Sequence, residues 1–180
     1  IPSSGIFQDG EGNFVGSFYT LNMAAWSEDP ELQKRLQHRR DQLSAGFDML
    51  EVPLLDPAGV DAEMTRRVCD EVGVTPTTSL GLKIGADINS EDANEVAAGE
   101  ALLNAALDAT AAMGARVMCG VIYSALHKYG GVQTPAARAN MVGALQRLAE
   151  RAEGLGVTLG LEPVNRYETN ACNTAKDCRE

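Results

Sequence analysis

Four times along this chain a helical pattern ends at a glycine and an apolar stretch of strand length begins within a few residues. Gly46 precedes Phe47 to Val52, Gly73 precedes Val74 to Leu80, Gly114 precedes Ala115 to Ile122, and Gly156 precedes Val157 to Glu162. Glycine tolerates the left-handed conformation that closes a helix, so each of these residues marks a helix-to-strand boundary. A chain that alternates helix and strand in this way needs a parallel sheet joined by crossover helices, which restricts it to the α/β class.

The helix starts carry matching signals. Asp29 before Pro30 and Thr134 before Pro135 place a capping side chain ahead of a proline whose missing N–H costs nothing at the first helical position. Ser90, followed by Glu91 and Asp92, offers a cap and negative charge to another helix N-terminus. In the helix that follows Pro135, Met141, Leu145, Leu148, Ala152 and Leu155 recur at alternating steps of four and three. Arg138, Arg147, Glu150 and Arg151 are left on the rest of its surface. A first strand is expected within Phe14 to Met23 and a short last helix from near Asn173, giving five βα units. The polar, glycine-rich residues 1–13 read as an N-terminal extension and residues 14–180 as the βα domain. No glycine-rich phosphate-binding turn follows any strand, which argues against a nucleotide-binding doubly wound sheet.

Composition narrows the partners. A formal charge of −10 disfavours a phosphate backbone, whose affinity comes from Lys and Arg releasing counterions, and suits a small neutral substrate better. No run approaches the roughly 20 apolar residues of a membrane helix, and the start of the chain lacks the pattern of a signal peptide. A soluble, cytoplasmic protein with no nucleic acid or membrane partner is the expectation. Cys69, Cys119, Cys172 and Cys178 show neither paired metal spacing nor a dense framework, so reduced thiols are expected. With only His38 and His127, a histidine-rich zinc site has too few ligands. His38 falls beside Arg39 and Arg40 on a solvated helix face, and His127 lies in a loop at the rim.

Strand alternation then places two acids. In Val157 to Glu162, Val157, Leu159 and Leu161 face one way and Thr158, Gly160 and Glu162 the other. In a barrel the apolar set meets the helices, so Glu162 points inward at the carboxyl end of its strand, where barrel enzymes carry catalytic groups. The same alternation leaves Glu51 inward at an equivalent height. Two inward acids at one rim suggest a cation or a polyhydroxylated ligand. The plain structural readings are an acid bound to an interior Arg or Lys for Glu162, a structural or supporting role for Glu51, and a loop salt bridge with Arg166 for Glu168.

The segment Leu161-Glu162-Pro163-Val164-Asn165-Arg166-Tyr167-Glu168-Thr169-Asn170 resembles the signature of the D-tagatose and D-allulose (psicose) 3-epimerases, within the xylose-isomerase-like TIM-barrel superfamily. Gly46 to Leu54 resembles the second strand of that family, Ser79 to Leu82 with Ser90 to Asp92 its third unit, and Cys119 to Ala125 its fourth strand, so the likeness runs from about Phe18 to the end. The resemblance implies a (β/α)8 barrel and a divalent ion, Mn2+ or Co2+ or Mg2+, held by two glutamates, an aspartate and a histidine. It further implies proton exchange at C3 of a free ketose (D-fructose/D-allulose, D-tagatose/D-sorbose) through a cis-enediolate. Glu162 matches the first metal ligand and one of two acid/base carboxylates. Glu168 matches a residue that hydrogen-bonds the sugar, and Trp26 and Gly120 match positions lining its pocket. A homodimer or homotetramer is expected. At Ala125 to Lys128 some relatives carry an aromatic residue that shapes substrate preference.

The remaining ligands, the second catalytic glutamate and a sugar-gripping arginine lie beyond the fifth unit in that family. The chain is therefore expected to be about five units of a barrel whose usual length is about 250 residues, with an incomplete catalytic site. The alternatives are an aldose–ketose isomerase or sugar dehydratase using the same cradle, and a non-catalytic half-barrel serving as an assembly module. A DNA-repair nuclease of this barrel type would need the histidine cluster and basic face that this sequence lacks.

Overall fold

The computed structural model describes residues 6–8, 14–16 and 48–179. Strands β1 (Ile6–Gln8) and β2 (Phe14–Gly16) pair antiparallel as a separate two-stranded sheet. The segment expected as an extension thus holds a strand, and the described part of the expected first barrel strand pairs with it rather than in a parallel ladder. The rest of the first βα unit, including Trp26, the Asp29–Pro30 cap and His38, lies outside the described residues.

From β3 (Met49–Pro53) onward the expected alternation appears. A 3-10 turn (Pro57–Gly59) and α1 (Ala62–Val72) lead to β4 (Thr75–Leu82). Then come α2 (Ala93–Ala112), β5 (Val117–Ala125), α3 (Pro135–Leu155), β6 (Thr158–Leu161) and a short α4 (Ala175–Arg179). The four strands form one parallel sheet in the order β3-β4-β5-β6, each pairing with the next in the chain. Sequential order without a reversal is the arrangement of a barrel wall, and α1, α2 and α3 pack one against the next along it. Residues 48–179 are therefore part of a (β/α)8 barrel.

The helix boundaries follow the signals in the sequence, with one correction. Gly73 (φ 75°), Gly114 (φ 76°) and Gly156 (φ 67°) adopt the left-handed conformation at the ends of α1, α2 and α3. Thr134 caps α3, its side chain accepting the Ala137 N–H. The cap of α2 is Asp92 and not Ser90: Asp92 accepts the Asn94 N–H, while the Ser90 hydroxyl accepts the Asp92 N–H one turn earlier. Both side chains suit a cap, and the helix begins after the second of them. On α3 the apolar face is Ala137, Met141, Ala144, Leu148 and Ala152, whereas Leu155, in the last turn, is 42% exposed.

The core lies between the sheet and the helices. Leu80 and Leu82 from β4, Met118 and Ile122 from β5, and Leu103 and Leu107 from α2 are nearly inaccessible to solvent. Each such side chain contributes about 1.5–3 kcal/mol relative to exposure. Polar groups buried on this side are satisfied: Thr78 and Thr110 share a 2.7 Å hydrogen bond across the sheet–helix interface, and Thr110 also donates to Ala106 O. No described helix is long and apolar enough to cross a membrane.

Candidate active site

The opposite face of the sheet carries the acids. Register pairs Glu51 with Thr77 and Cys119 with Gly160, and a Cβ built on Gly160 would meet the Cys119 Cβ at 3.0 Å, so these positions share one face. The Cys119 thiol is pushed up to about 11 by burial and then by the negative charges of Glu51 and Glu162. The expectation that Glu51 and Glu162 face the same interior is met. Glu162 continues the ladder one residue past β6, its N–H donating to Gly120 O at 3.0 Å, and its side chain is exposed.

Gly120 is buried on β5 with φ +117°, and an added Cβ would lie 2.4 Å from Leu80 O on the neighbouring strand. Close approach of two strands accounts for the glycine, directly behind the point where Glu162 is anchored. Opposite it, Leu126 lies over Gly81, where a Cβ would come within 2.5 Å of the leucine Cδ1; Leu126 is 45% exposed at the rim.

The loops after β4, β5 and β6 are knitted into one rim. Asp87 is buried, and its carboxylate accepts the Asn89 and Ala125 N–H groups and the Tyr129 hydroxyl. Asn89, also buried, donates to Asn170 Oδ1 at 2.8 Å and accepts from Gln133 at 2.7 Å. Ser124 and Thr169 share a buried hydrogen bond, and the His127 N–H donates to Glu168 O at 2.9 Å. The His127 ring lies 4.0 Å from that of Tyr129, and Lys128 sits over the Tyr167 ring. The Glu168 carboxylate accepts from the Asn165 amide within its own loop, so its partner is Asn165 and not the Arg166 of the salt-bridge reading.

A cleft of about 380 Å3 opens among these loops, lined by Asp87, Asn89, Glu91, His127, Tyr129 and Gln133 among others. Glu51, Glu162 and Glu168 do not line it. The interior face is the better candidate site, because the carboxylates are there and a barrel interior becomes a pocket only when its remaining strands close round it.

Exposed carboxylate oxygens at a strand end suit a hard divalent cation, which prefers anionic oxygen donors. Among the described residues no group of three or more His, Cys, Asp or Glu is arranged to hold a metal ion. Glu162, with Glu51 on the same face, offers oxygen donors of that kind.

Of the residues singled out from sequence, the structure brings Glu162 and Gly120 together and places Glu168 on the loop that follows. Trp26 lies outside the described residues. Two contributors were missed, Asp87 and Tyr123. An acid between Ala86 and Ile88, just beyond a strand end, was the available signal for the first. The second has no local signal.

The model of the xylose isomerase-like TIM barrel family matches residues 40–180. A ketose 3-epimerase of Arthrobacter globiformis is 48% identical over 132 residues, covering 73% of this chain and 46% of that protein. An L-ribulose 3-epimerase of Methylomonas sp. (strain DH-1) is 45% identical over 130 residues, with 72% and 46% covered. The structure of a D-allulose 3-epimerase from Methylomonas sp. in complex with D-allulose superposes with a TM-score of 0.77 at 39% identity, covering 87% of this chain and 55% of that one. The chain spans about half the length of these relatives. Matched over most of its residues and folded as successive βα units of one parallel wall, this chain belongs to the xylose isomerase-like TIM barrel family.

Proposed function

We propose that this chain forms part of a metal-dependent ketose 3-epimerase that exchanges the proton at C3 of a free ketose. The observation that carries the reading is Glu162: an exposed carboxylate on the interior face at the carboxyl end of β6, inside the segment that resembles the epimerase signature. The names of the similar proteins, which include a ketose, an L-ribulose and a D-allulose 3-epimerase, support it from a second direction.

In this reading Glu162 both helps to hold the cation and takes or returns the C3 proton on one side of the sugar. A carboxylate anchored at a strand end holds one position from substrate to transition state, as general-base catalysis requires. When bound, Mn2+, Co2+ or Mg2+ supplies positive charge that stabilises the oxygens of the cis-enediolate. Inverting C3 needs a second acid/base group on the other side of the sugar, which we assign to the part of the barrel outside this chain. Glu168 accepts hydrogen bonds from sugar hydroxyls after giving up Asn165, and Gly120 keeps the wall thin beside Glu162. The protein works as a cytoplasmic homodimer or homotetramer.

The test is product identity. The full-length protein with Mn2+ is incubated with D-fructose, D-tagatose, D-allulose and L-ribulose, and products are separated by chromatography. A C3 epimer of at least one ketose is expected. Aldose as the sole product would transfer the site to aldose–ketose isomerisation, and no conversion of any sugar would remove the epimerase reading.

A further inference from the structure

We infer that Tyr123 is a positioning residue for Glu162 and for the loop that carries Glu168, an inference that rests on the epimerase reading of that carboxylate. Tyr123 lies on β5, three residues beyond Gly120, and is completely buried. Its hydroxyl is 2.9 Å from Glu162 O and 3.0 Å from Cys172 O, so one proton is shared between the carbonyls at the two ends of the loop 162–172. Cys172 O also accepts the Val164 N–H, and Asn173 donates to Val164 O and Thr169 O, so the loop is closed at its base around the phenol.

Glu162 is thereby held from both sides by one strand. Its N–H donates to Gly120 O and its C=O accepts from Tyr123, so the two peptide planes flanking its Cα are referred to β5. With both planes fixed, only the side-chain torsions remain to place the carboxylate, and a group that must meet a cation and a C3 hydrogen tolerates little else. The same hydroxyl, through Cys172, sets where the loop returns to the sheet and so the height of Glu168 over the interior. A ring that only filled the core would need no hydroxyl at this point, and Tyr123 has two carbonyl acceptors waiting for one.

The test compares Tyr123→Phe with wild type in the full-length protein, using Leu148→Ala as a variant that loses core packing on α3 away from the site. Three quantities are read: amide hydrogen exchange by segment, Mn2+ affinity of the metal-stripped protein by calorimetry, and kcat on D-allulose. Tyr123→Phe should speed exchange across 162–174 with the α2–α3 segments unchanged. It should also weaken Mn2+ binding or lower kcat by about 10–100-fold, the range for losing a group that orients a metal ligand. Leu148→Ala should melt earlier with Mn2+ affinity and kcat near wild type. If Tyr123→Phe behaves like Leu148→Ala, with exchange across 162–174 unchanged, the tyrosine is structural only and the inference is overturned. If wild type neither binds Mn2+ nor epimerises any ketose, the epimerase reading fails on wild type alone. The exchange comparison still decides whether Tyr123 orders the loop.

Discussion

The two faces of β4 and β5 are made from alternate residues of the same strands and are under different physical control. Toward the helices, Thr78, Leu80, Leu82 and Met118 are at most 3% exposed. Leucine and methionine side chains fill that side, and the hydroxyls of Thr78 and Thr110 satisfy each other there. Toward the interior, Ser79, Gly81 and Cys119 remain partly accessible, and Glu51 and Glu162 put charge around the thiol. A residue on the first face is chosen by the volume it fills. A residue on the second can be chosen by what it offers a ligand, although burial still governs Thr77, which pairs with Glu51 on that face and is 8% exposed. Substitutions on the two faces should therefore separate stability from chemistry, and several experiments can break or sharpen that division.

The largest effect is expected at Glu162. In the full-length protein Glu162→Gln should lower turnover by roughly 10^2 to 10^4-fold, the usual contribution of a general acid or base, and weaken Mn2+ binding measured by calorimetry. Because the side chain is exposed, its unfolding free energy should move by no more than about 0.5 kcal/mol. Wild-type turnover by this variant would remove Glu162 from the chemistry. Met118→Ala, on the helix-facing side of the next strand, should do the reverse: denaturant unfolding should show a loss of about 2–5 kcal/mol, while the folded fraction keeps its kcat. A large fall in kcat with little loss of stability would show that the two faces are not independent.

Much of this division was legible in the sequence because both its causes are local. Glycines at 73, 114 and 156 announce helix ends through backbone conformation alone, and strand alternation puts Glu162 opposite Leu161 without reference to the rest of the chain. What local sequence does not carry is what the fold brings together over long distances. Asn89 and Asn170 are 81 positions apart, and Tyr123 meets Cys172 across 49, so no spacing rule points from one to the other. The α2 cap is ambiguous in the sequence because two competent side chains, Ser90 and Asp92, stand within one turn and only the entry of the chain into the helix selects between them.

A smaller effect is expected at Glu168. Glu168→Ala should retain its Mn2+ stoichiometry while kcat/KM falls by about 1.5–3 kcal/mol in equivalent free energy, roughly ten- to hundredfold. Loss of metal together with activity would move Glu168 into the coordination shell. The smallest effect belongs to the solvent side of the helices. Glu100 receives Arg147 from α3 at 2.6 Å, with the arginine side chain 60% exposed. Glu100→Gln should cost no more than about 1 kcal/mol in thermal unfolding and leave turnover untouched. A larger loss would mean that the α2–α3 contact depends on this pair more than on Leu103, Leu107 and Leu148 beneath it.

The most direct measurement follows where the proton moves. The full-length protein is incubated with a ketose and Mn2+ in deuterium oxide, and deuterium in the recovered sugar is located by NMR. Incorporation at C3, in both the starting ketose and its epimer, is the expected result, and Glu162→Gln should abolish it. Deuterium at C1 without C3, or equal incorporation at C3 by Glu162→Gln, would contradict the assignment of the interior face to C3 proton exchange.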